Sequence, residues 1–112
     1  MSKYNAVASV VDGVRFDSKA EARRYVELKG LVRAGVITGL ELQPRFLLQD
    51  GFEYEGKRER KIEYVADFRY YDLERDVTVV EDVKGMKTDV YKLKRKLFLA
   101  RYGKDVEFRE VK

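Results

Sequence analysis

Residues 61–72 read KIEYVADFRYYD and residues 77–85 read VTVVEDVKG. Both are rich in the β-branched and aromatic residues that favour strands. Yet the first holds Asp67 in its middle, and the second holds Glu81, Asp82 and Lys84. A charge in a dry strand is costly unless it is paired or bound to a metal. These two segments therefore restrict the fold more than any other. The four residues LERD between them (73–76) form a tight turn, so the two strands run antiparallel. Pairing about the middle of that turn sets Asp67 opposite Asp82, with Cβ atoms roughly 5 Å apart. Like charges so placed repel, which points to a bound cation. Alternation along the second strand puts Val80, Asp82 and Lys84 on one face and Val79, Glu81 and Val83 on the other. Glu81 is thus expected to pair with a basic residue of a helix.

The remaining elements follow from local pattern. A short strand within AVASVV (6–11) is expected to pair with one inside DGVRFDS (12–18). Ser18 and Glu21 form a capping box that opens a helix over 18–34, with Ala20, Tyr25, Leu28, Leu31 and Val32 as its stripe and Gly35 just past its end. A strand over 40–48 bends at Pro44. Residues 50–61, DGFEYEGKRERK, read as a polar hairpin connection. A second helix spans 89–102, with Val90, Leu93, Leu97 and Ala100 as its inward stripe, and a last strand lies within 105–111. The order is α-β-β-β-α-β. The crossover helix returns the last strand parallel to a neighbour, giving an α/β (α+β) mixed sheet flanked by helices. At 112 residues the chain suits one domain, 1–112.

Composition narrows the chemistry. The chain has neither His nor Cys, which removes disulfides, Cys- or His-based zinc sites and histidine general bases. A site built from carboxylates, Lys and Tyr suits hard, oxygen-seeking cations, Mg²⁺ or Mn²⁺. No apolar run is long enough to cross a membrane and no leader is recognisable, so a cytoplasmic location without membrane association is expected. The net charge is only +4. Residues 84–104, however, hold eight basic residues against one acid, Asp89, a local charge of +7. Such a patch fits a polyanion partner; the plainer reading is a solvated helix face.

The pattern of Asp67 followed by EDVKG resembles the PD-(D/E)XK nuclease superfamily, with Asp82-Val83-Lys84 as the (D/E)-x-K part. Ala66 stands where that motif has Pro, and Asp82 where many members have Glu. The segments GVRFDSKAEARRYVELKGLVRAGVI, LQPRFLL, IEYVADFRYYD, VVEDVKG and YKLKRKLF together are similar to a small phage- and prophage-encoded family of unknown function, related to Holliday-junction resolvase-like nucleases. The resemblance implies a restriction-endonuclease-like core and an additional helix acid, which Glu21 matches.

It further implies a metal-dependent endonuclease that hydrolyses phosphodiester bonds, with structure-selective cleavage in phage DNA recombination, repair or packaging as the expected setting. Asp67 and Asp82 would ligate Mg²⁺ or Mn²⁺, the Val83 carbonyl would complete the set, and Glu21 would hold a second ion or a water. Lys84 would orient the attacking water or offset developing negative charge. For Glu21 the helix cap is the competing role, and Asp67 alone could be a strand acid paired with Arg69 or Lys61. Lys92, Lys94, Arg95 and Lys96 are the expected phosphate contacts, with Tyr91 stacking or positioning a phosphate and Gln43 reaching the site or a phosphate. The partner is DNA, branched or duplex, and a homodimer is expected because cutting two strands requires two sites. The alternative is an inactive nucleic-acid-binding module of the same fold.

Overall fold

The computed structural model describes residues 8–112. Ala6 and Val7 of the expected first strand lie outside them. A hairpin of β1 (Ser9–Val11) and β2 (Val14–Phe16) leads into α1 (Lys19–Arg33). The Ser18 hydroxyl accepts from the Glu21 backbone N–H, and Gly35 follows the helix at a positive φ of 76°. The chain continues through β3 (Ile37–Leu42), β4 (Arg45–Gln49), β5 (Phe52–Tyr54), β6 (Lys57–Glu59), β7 (Ile62–Val65), β8 (Phe68–Asp72) and β9 (Val77–Val83). It ends with α2 (Asp89–Tyr102) and β10 (Glu107–Val111). The fold is mixed α+β, and none of the described helices is long and apolar enough to cross a membrane.

The main sheet has the order β10-β9-β8-β3. β10 is parallel to β9, as a crossover helix requires, and the other pairs are antiparallel. Alternation sends Val79 and Val83 towards α1, where they pack with Tyr25, Leu28, Phe68 and Tyr70. Val80 faces the other way, into an aromatic core of Phe46, Tyr64, Tyr91 and Phe98 beneath α2.

Two expectations need correction. The strands expected over 40–48 and within 61–72 are each broken in two, at Gln43–Pro44 and at Ala66–Asp67. Pro44 has no N–H for a ladder and Gln43 sits at a φ of +52°. The two bends are tied to one another: the Gln43 N–H donates to the Asp67 carbonyl at 2.9 Å and the Ala66 N–H to the Pro44 carbonyl at 3.1 Å. The broken strands therefore turn together, so β4 and β7 leave the main sheet as a separate pair. The second correction concerns α2. Its buried residues are Tyr91 and Phe98, whereas Val90, Leu93 and Leu97 are exposed. Bulky aromatics won the inward face because they fill the gap under the bent β4–β7 pair, which aliphatic spacing alone did not reveal.

Candidate active site

The ladder between β8 and β9 pairs Phe68 with Glu81, and one step further sets Asp67 beside Asp82. Asp67 sits where its strand breaks. Its N–H donates to the Glu81 carbonyl at 3.0 Å, and its Oδ2 accepts from the Val83 N–H at 2.6 Å. Its carboxylate is thereby fixed against the end of β9, one residue from Asp82.

Asp82 is almost fully buried, with 1% of its surface exposed. Tyr64 donates its hydroxyl to Oδ2. Oδ1 lies 3.2 Å from the Lys84 ammonium, an ion-pair distance, and accepts no hydrogen bond. A buried carboxylate oxygen without a donor is costly. Lys84 is held in place from behind, with its backbone N–H on the Val111 carbonyl at 2.9 Å and its ammonium 4.4 Å from the centre of the Tyr91 ring. Val83 keeps its side chain in the α1 core, and its backbone joins the two charged residues.

Glu21 completes the cluster. The helix cap uses its backbone N–H. Glu21 lines a pocket of about 130 Å³ together with Asp67, Gln43 and Arg15. Burial, then Asp17 and Asp82, push the Glu21 carboxyl above its usual range, with Lys84 opposing. Asp67 is driven up to about 7, first by burial and then by the neighbouring Asp82, against the pull of the Val83 N–H. Three acids thus share one end of the sheet with a single lysine among them. Among the described residues no three carboxylates close into a cage on their own. A cation here would draw on Asp67 and Asp82, with Glu21 further out, and would meet the unsatisfied Oδ1.

Glu81 lies on the opposite face, as alternation requires. Arg24 of α1 grips it with two bonds of 2.7 and 2.6 Å, and the Tyr70 hydroxyl donates to it as well. Both of its oxygens are thus engaged away from Asp67 and Asp82.

The basic helix is only partly free. Lys92 and Lys96 are exposed and Lys94 is half-buried, and none of the three has a carboxylate at ion-pair distance among the described residues. Arg95 lies 3.4 Å from Glu110 and over the Phe108 ring. Tyr91 cannot stack on a base, because it is buried and donates its hydroxyl to Glu110 at 2.6 Å. Two residues at the site were not singled out from sequence. Tyr64 reaches Asp82 only because the strand bends between them, which breaks the alternation count. Arg15 joins the pocket from β2, and nothing in its local pattern marks it.

The family model described as Protein of unknown function (DUF1064) matches residues 1–112. The chain belongs to that family. No curated protein and no solved structure matches it.

Proposed function

We propose that the chain is a metal-dependent DNA endonuclease of the PD-(D/E)XK kind. The observation that carries this reading is the pairing of Asp67 with Asp82 beside Lys84, with one buried Asp82 oxygen left without a donor. Two adjacent acids that repel and an unsatisfied buried acceptor fit a hard divalent cation, Mg²⁺ or Mn²⁺. Such an ion, when bound, polarises a phosphodiester and acidifies a water.

The chain's own groups do the rest. Asp67 and Asp82 would hold the cation, and the Val83 carbonyl is the backbone oxygen that lies between Asp82 and Lys84. Tyr64 fixes Asp82 through Oδ2 and leaves Oδ1 for the ligand. Lys84 is near enough to the same oxygen to orient a water or to offset charge building on the phosphate. Glu21 and Gln43 line the adjoining pocket, where a second ion or an ordered water fits. Lys92, Lys94 and Lys96 present charge to the backbone of the nucleic acid, and no base-reading element accompanies them. That combination favours recognition of a DNA shape, such as a branch or junction, over recognition of a sequence.

The test is cleavage of labelled four-way-junction, linear duplex and single-stranded DNA, with RNA as a further arm, in Mg²⁺, Mn²⁺ or EDTA. Metal-dependent cutting of DNA supports the reading. Binding without cutting in any metal supports the inactive module instead.

A further inference from the structure

The hairpin of β5 and β6 stands away from both cores. Every residue of both strands is exposed, including Phe52 at 45% and Tyr54 at 63%. The turn between them carries Glu55 and Gly56 at positive φ, a tight two-residue hairpin. An isolated two-stranded ribbon is marginal in water without something packed on it, and two exposed aromatics on one ribbon ask for a covering surface.

The register says which surface would fit. Phe52 is opposite Glu59 and Tyr54 is opposite Lys57. Directly opposed residues share a face, so that face carries two rings on one strand and one acid and one base on the other. We propose that this face binds the same face of a second copy of the chain. A two-fold axis running across the strands, through the Glu53–Arg58 pair, would lay two ribbons antiparallel and face to face. The same axis then sets Phe52 on the partner's Tyr54 and Lys57 on the partner's Glu59, each twice. Charge complementarity therefore coincides with aromatic stacking at a single register, as an isologous contact requires. The charges of the ribbon favour another copy over a nucleic acid: Lys57 and Glu59 balance on this face, and neither has an ion-pair partner among the described residues. The hairpin offers eight residues per copy (52–59), fewer than the roughly 20–30 a side of a standard interface, so the dimer is weak and reversible, with dissociation in about the micromolar range or above.

The experiment is sedimentation of the full chain over a concentration series. Wild type should show a reversible monomer–dimer equilibrium. Lys57→Glu sets acid against acid, and Glu59→Lys sets base against base. Each should weaken association at least about tenfold, since two attractive pairs become repulsive. An equimolar mixture of those two variants should restore the dimer, as should the double change in one chain. All the altered side chains are exposed, so melting temperatures should match wild type. A wild type that stays monomeric to about 1 mM overturns the proposal, as does an equilibrium that neither single variant moves. If Lys57→Glu weakens DNA binding and leaves association unchanged, the face belongs to nucleic acid and the proposal is wrong. None of these readings depends on cleavage, so the nuclease reading stands or falls separately.

Discussion

Asp67 accepts a hydrogen bond from the Val83 backbone N–H, and so the first acid of the site is locked to the strand that carries the second. This bond ties the position of Asp67 to the end of β9, where Asp82 and Lys84 follow one another. If the cluster holds a metal, its parts should fail together. Asp82→Asn and Lys84→Ala should each reduce cleavage at least about a hundredfold, the usual scale for groups that act on developing charge. EDTA should abolish cleavage in wild type. Full activity in the Asp67→Ala, Asp82→Ala double variant would remove the proposed site from consideration.

The same cluster should shape the pH dependence of the metal-free protein. Asp67 has a folded-state pKa near 7, well above the usual aspartate value of about 3.9. The folded state therefore holds its proton more tightly than the unfolded chain does. The stability this provides is complete at low pH and is lost as pH rises from about 4 through about 7. Glu21 is displaced in the same direction. In EDTA, wild type should melt at a lower temperature at pH 8 than at pH 5, and the difference between wild type and Asp67→Asn should widen over that span in favour of the variant. Mg²⁺ should raise the melting temperature of wild type and not that of the variant. A variant that melts clearly below wild type at pH 8 without metal would mean that Asp67 is a stabilising partner, not a strained one.

Much of this site was legible in the sequence because strand geometry is periodic. The turn at 73–76 and the two-residue alternation sufficed to place Asp67 beside Asp82 and to turn Glu81 away from both. The capping pattern around Ser18 likewise gave the position of Glu21. Where the period fails, so did the reading. The linked bends at Gln43–Pro44 and Ala66–Asp67 depend on hydrogen bonds between residues more than twenty positions apart, and they bring Tyr64 under Asp82 against the alternation. In α2 the aliphatic spacing of Val90, Leu93 and Leu97 was the more regular signal. Burial instead went to Tyr91 and Phe98, whose larger area outweighs it.

Glu81 offers a control that separates fold from chemistry. It is fully buried and held by Arg24 and Tyr70 on the face away from the acids. Glu81→Gln removes the buried charge that the half-buried Arg24 guanidinium grips, leaving it only the exposed Glu27 carboxylate at 3.0 Å, and should cost about 2 kcal/mol. Chemical denaturation at pH 7 measures that loss. At temperatures where the variant stays folded, its metal requirement should equal that of wild type. A shift in the metal concentration needed for half-maximal cleavage would place Glu81 in the site after all.

The basic helix should contribute binding and not chemistry. If about four phosphates are neutralised, the slope of log K against log salt should be near −3.6 for duplex DNA. Lys94→Ala with Lys96→Ala should weaken binding of all sequences alike and flatten that slope by roughly 1 to 2 units. Lys84→Ala removes only one positive charge and should still bind, and Asp82→Asn should bind at least as well, because it removes a negative charge near the phosphate. Arg95 is already committed to Glu110 and the Phe108 ring, so Arg95→Ala should affect stability more than the salt slope. The informative measurement is a salt titration of junction and linear duplex binding in Ca²⁺, an ion of the same charge that slows turnover. Wild-type binding by the Lys94, Lys96 double variant at every salt concentration would show that these lysines are only the solvated side of α2, and the DNA surface would then have to be sought on another part of the molecule.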